Sequence, residues 1–141
     1  MITLGKVNKL TLEAAGYEGP DGGSDFYDDF LLIDIEYSVD EKSVFRFCDP
    51  CITARELAGL SRVMKDFQAS GKKKKVIEFL EPIIKITIGK NYGGFYVTFE
   101  IFMESYQDGD SIIKTQQFNE KNYEKFIESI ERESEKFPPR F

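Results

Sequence analysis

From Phe95 to Met103 every second residue is large and apolar: Phe95, Val97, Phe99, Ile101 and Met103. A period of two marks a strand with one buried face and one wet face. The same pattern runs from Phe30 to Val39, where Leu31, Ile33, Ile35, Tyr37 and Val39 oppose Leu32, Asp34, Glu36 and Ser38. A chain with such strands must form a sheet, and something must cover its apolar face. Two helical stripes supply the cover. Thr53 with Glu56 three residues on makes a capping box, Leu57, Leu60, Met64 and Phe67 share one face, and Gly71 ends the helix. Asn119 caps a second helix with the stripe Tyr123, Phe126, Ile127, Ile130 and Phe137, stopped by Pro138 and Pro139.

Between these elements lie shorter strands at Val7 to Ala14, Val44 to Cys48, Val76 to Leu80, from Ile84 to Ile88, and Ile112 to Phe118. Short turns at Asp40-Glu41-Lys42, Asn91-Tyr92-Gly93-Gly94 and Gln107-Asp108-Gly109-Asp110 imply antiparallel pairing. No internal repeat, linker or low-complexity tract is visible. The expected fold is α+β in one domain, 1–141: a single twisted, mainly antiparallel sheet with two helices packed on one face. Alternation alone does not distinguish one sheet from two.

Composition narrows the chemistry. The 141 residues include no His and no Trp, with 13 Phe and 7 Tyr to build a core. Without His, Ser-His-Asp and Cys-His nucleophiles and His-ligated zinc are excluded. Neither GxGxxG nor GxxxxGK[ST] occurs. A net charge of −6 and a pI near 4.8 argue against a broad nucleic-acid surface and suit a basic protein partner. No apolar run approaches the ~18 residues that span a bilayer, and the first residues lack the pattern of a signal peptide. A soluble cytoplasmic protein is the expectation.

Two features carry candidate chemistry. Cys48-Asp49-Pro50-Cys51, between a strand and a capped helix, has the spacing of a thiol-disulfide site. The preceding hairpin is wrong for a thioredoxin fold, and the plainer reading is two structural cysteines. The second feature is charge layout. Residues 13–41 hold ten acids and no base, whereas 42–91 hold eleven bases and five acids. Within the acidic window, Glu18, Asp21, Asp25, Phe26, Tyr27, Asp28 and Asp29 place aromatic rings among like charges, as a protein-binding surface does. A solvated loop, a calcium site without EF-hand spacing and an acid/base pair are the competing readings. Lys72 to Lys75 and the charged face of the last helix read as solvated surface.

Several segments, in order, resemble the WapI-type immunity protein family. They are Gly16-Tyr17 with Pro20 and an acidic gap, Tyr27-Asp28 before the strand Phe30 to Ile35, Asp49-Pro50-Cys51 leading into a helix, Leu80-Glu81-Pro82, and Phe137-Pro138-Pro139-Arg140. The resemblance spans essentially the whole chain. The sequence departs from it at Asp29-Phe30, where relatives often carry Trp after the "YD". The resemblance implies a non-enzymatic cytoplasmic antidote that binds the C-terminal toxin domain of a secreted bacterial protein deployed between neighbouring cells. It implies a toxin partner, commonly a nuclease and so basic, and no catalytic residue carries over; no cofactor or metal, and no direct contact with nucleic acid or membrane, is expected.

Overall fold

The structure is a computed structural model and describes residues 1–19, 29–102 and 111–140. Strands β1 (Ile2–Leu4), β2 (Asn8–Tyr17), β3 (Phe30–Val39) and β4 (Lys42–Thr53) form one antiparallel meander, followed by α1 (Ala54–Ala69). Strands β5 (Lys74–Glu78), β6 (Ile84–Asn91), β7 (Gly94–Phe102) and β8 (Ser111–Phe118) form a second, followed by α2 (Glu120–Lys136). Four strands and a helix thus occur twice, although the sequence shows no repeat.

The α+β expectation holds, but the single sheet is corrected to two four-stranded sheets. Width explains the split. Two adjacent helices, each ~10 Å across, cover about four strands spaced ~4.8 Å apart. A single sheet of eight strands would leave half its apolar face bare. Two sheets sharing one helix pair bury both faces.

Local chemistry sets the details. Asp40 and Glu41 take positive φ of 50° and 67°, the two-residue turn that matches strand twist. A register shift between Tyr37 and Ser38 turns Ser38 inward and Val39 out of the buried row. Strand β1, three residues long, falls below what alternation detects. The capping box forms as the spacing requires: the Thr53 hydroxyl accepts the Glu56 N–H (3.1 Å) and Glu56 Oε1 accepts the Thr53 N–H (3.0 Å). Glu56 Oε2 also accepts the Leu80 N–H at 2.8 Å, joining the start of α1 to the chain beyond β5.

One continuous core joins both sheets and both helices. Leu4, Leu10, Leu12, Leu31 and Ile35 come from the first sheet, and Ile84, Ile86, Ile88, Val97, Phe99 and Ile101 from the second. Tyr123 of α2 stacks on Phe95 at 4.2 Å and donates its hydroxyl hydrogen to the Met64 carbonyl of α1 at 2.9 Å. Phe126, one turn on, packs edge-on to Phe99 and against Phe118. At the other sheet, Glu133 is 1% exposed where β1 has run out. Its Oε2 accepts the Ala14 N–H at 2.7 Å, just past the Ile2–Leu12 pair of β1 and β2. The Met1 ammonium and Lys136 (3.0 Å) complete its partners. Burial by itself raises the Glu133 pKa; the ammonium, the Ala14 N–H and Lys136 together outweigh it and hold the carboxyl below its usual range.

A carboxyl with a depressed folded pKa stabilises the fold above its unfolded pKa, near 4.5, and loses that contribution as pH falls through the folded value. Glu133→Gln should therefore cost about 1–3 kcal/mol at pH 7 and less at pH 3. Urea unfolding at the two pH values measures both; an equal loss at both would contradict the assignment.

Candidate functional site: the mouth of the acidic segment

The acidic segment leaves the first sheet at the end of β2 and returns at the start of β3. Its two ends are held together from three directions. The Glu18 N–H donates to the Phe30 carbonyl at 2.9 Å, continuing the β2–β3 ladder. The Asp29 carbonyl accepts the Ala54 N–H at 3.0 Å, which satisfies an otherwise orphaned donor at the start of α1. Arg140, far along the chain, reaches both ends. Its Nη2 donates to the Gly19 carbonyl at 3.1 Å, and Nε and Nη2 donate to Asp29 Oδ1 at 3.1 and 2.6 Å. The Arg140 backbone N–H adds a longer contact to Asp29 Oδ2 at 3.4 Å.

Tyr17 is the platform beneath this arrangement. The Arg140 guanidinium lies 3.6 Å from the ring centroid, a stacked cation–π contact. The Tyr17 hydroxyl donates to the Pro138 carbonyl, and Phe137 meets the ring edge-on at 5.4 Å. Burial and then the Asp29 charge raise the Tyr17 pKa above its ordinary value, with Arg140 opposing. The two prolines after α2 rule out further helix and send the tail back along this platform.

The site residues expected from sequence are placed unequally. Glu18 is exposed at the mouth. Asp29 is 2% exposed, so its carboxylate, expected to face a partner, is turned inward instead. A charge so buried requires a partner, and Arg140 is that partner. Asp21, Asp25, Phe26, Tyr27 and Asp28 lie outside the described residues. Beyond the mouth, cross-strand register sets Glu13 opposite Asp34 and Thr11 opposite Glu36, on the face turned away from the core. Arg46 of β4 forks onto Asp34 at 3.1 and 2.7 Å, and Lys136 lies 3.5 Å from Glu13. The described acids of the window thus lie along β2, β3 and the turn after β3, and Lys42 and Arg46 of β4 open the basic stretch that follows.

Sequence reasoning did not single out Tyr17 and Arg140 as a working pair. The signal available was the tail Phe137-Pro138-Pro139-Arg140, whose helix-stopping prolines precede a cation.

The Cys48-Asp49-Pro50-Cys51 motif lies within β4, where the β3–β4 register shifts. The shift leaves Cys51 without a β3 partner, and Cys48 is exposed while Cys51 is buried. Both thiols are free, and Cys51 donates to the Asp49 carbonyl at 3.1 Å. Burial, then nearby carboxylates, push Cys51 up to about 12; burial and then the charges of Asp34 and Asp49 raise Cys48. Reactive redox thiols need the opposite shift. Among the described residues no group of three or more Cys, Asp or Glu side chains is arranged to hold a metal. No described helix is long and apolar enough to cross a membrane. In thiol-exchange kinetics at pH 8, Cys48 should react more slowly than free cysteine, and Cys51 only on unfolding. Fast reaction of both native thiols would contradict these environments.

Neither a curated protein nor a solved structure matches the chain. A family model does: that of the immunity protein WapI-like family, over residues 1–138. The match takes in both sheets, both helices and the Tyr17 platform, and the chain belongs to the immunity protein WapI-like family.

Proposed function

We propose that the protein neutralises a cognate toxin domain by forming a direct complex through the acidic segment between β2 and β3. Family membership supports an immunity role in general. The observation that carries the surface assignment is the built mouth of the segment: Glu18, Gly19 and Asp29 are fixed by the strand ladder, α1 and Arg140. Rigid ends limit the ordering cost that a recognition loop meets on binding. Glu18, Asp21, Asp25, Phe26, Tyr27 and Asp28 are the proposed contact residues, and Asp29 supports them from inside.

The partner is a basic domain, and the toxin activity it supplies is that of a nuclease. Acidic residues steer encounter with such a surface, and the aromatic pair anchors the complex once formed. Inhibition follows from occlusion of the toxin's active site or a surface beside it; no bond is made or broken by the antidote. The working place is the cytoplasm of the producing cell, where a toxin delivered between neighbours in contact would act.

The test is co-expression with the toxin domain encoded beside this gene. Wild-type protein should restore growth and co-purify with the toxin at low salt. Failure of both would overturn the reading for that pair. Asp25→Lys with Asp28→Lys should slow association about tenfold or more at low salt, with the difference shrinking at high salt. Unchanged association at both salts would remove the acidic segment from the interface.

A further inference from the structure

We infer that Arg140 and Asp29 act as one positioning unit for toxin recognition, without touching the toxin. This rests on the proposed immunity reading. The geometry distinguishes the pair from an ordinary surface ion pair. Asp29 is 2% exposed and Arg140 is stacked on Tyr17, so the two charges pair and are held in place. A single guanidinium bonds the Gly19 carbonyl on the outgoing side of the segment and the Asp29 carboxylate on the returning side. It therefore fixes the spacing between the two ends. Among the described residues, the strand ladder holds this mouth by one backbone hydrogen bond, Glu18 to Phe30, beyond the last β2–β3 pair.

Arginine is required by geometry. Lysine offers a point charge with no planar fork, so it cannot bond Asp29 through two nitrogens, reach the Gly19 carbonyl and stack on Tyr17 at the same time. The anchoring is also modular. Phe137, Pro138 and Arg140 bear on Tyr17, Gly19 and Asp29; Tyr17 and Phe137 are only partly buried and pack against the outside of the core rather than within it. Loosening the clamp should leave the sheets and helices intact and raise the ordering cost of binding.

The test is a double-mutant cycle on the full chain with its toxin domain, using Arg140→Lys, Asp29→Asn and the two together. Each single variant should weaken toxin affinity by about tenfold, the scale of ordering one or two further side chains. The double variant should lose no more than the worse single, because the Asp29 contact is among those that Arg140→Lys already loosens. In the free protein, amide exchange at Glu18 and Ala54 should accelerate in all three variants, while Leu12 and Ile35 keep wild-type rates. Additive losses would place Asp29 in direct contact with the toxin and overturn the proposal. Wild-type affinity in Arg140→Lys, despite faster exchange at the mouth, would make the clamp purely structural and overturn it too. Absence of wild-type binding would instead fail the immunity reading on which the proposal stands, and is recognised in the first arm of the experiment.

Discussion

Packing of α2 against both sheets at once is the constraint on which the rest of the structure depends. One face of this helix must satisfy two partners. Tyr123 and Phe126 fill the side toward the second sheet, and Glu133 closes the end of the first sheet where β1 stops. The Tyr123 hydroxyl joins this layer to α1 through the Met64 carbonyl. Its burial raises the phenol pKa, so the group stays a neutral donor. Remove the shared helix layer and each meander is a four-stranded sheet with its apolar face in water.

The functional end of the molecule follows from that arrangement. Because α2 lies across the first sheet, the chain leaving it emerges beside the end of β2. Pro138 and Pro139 prevent further helix, and Arg140 falls where β2 ends and β3 begins. The acidic segment is thus held at its base by residues more than a hundred positions away in sequence. Segments that carry the family resemblance meet at this end: Tyr17 lies beneath Arg140, Pro138 accepts from Tyr17, and Leu80 donates to Glu56 at the start of α1.

What was legible in the sequence was what local rules encode. The bounds of β3, the Thr53–Glu56 capping box, the Asn119 cap and the α2 stripe Tyr123, Phe126, Ile127 and Ile130 depend on residues near one another in sequence. Phe137, expected in that stripe, instead lies just past the helix, and Glu133 takes the fifth buried place. The family was legible as well, through short segments in a fixed order. Three things were not. Strand β1 is too short to show a period. The division into two sheets depends on how wide a helix pair is, which alternation does not record. The Asp29–Arg140 and Glu133–Ala14 contacts join residues more than a hundred positions apart, and no spacing rule connects them. An acid in an acidic run reads as surface until its partner is seen.

Amide hydrogen exchange of the protein, free and in complex with its toxin domain, tests the central claim most directly. Binding through the acidic end predicts slowed exchange at residues 17–19 and 29–31, with β5 to β8 little changed. A complex that forms with protection confined to the second sheet would contradict the account.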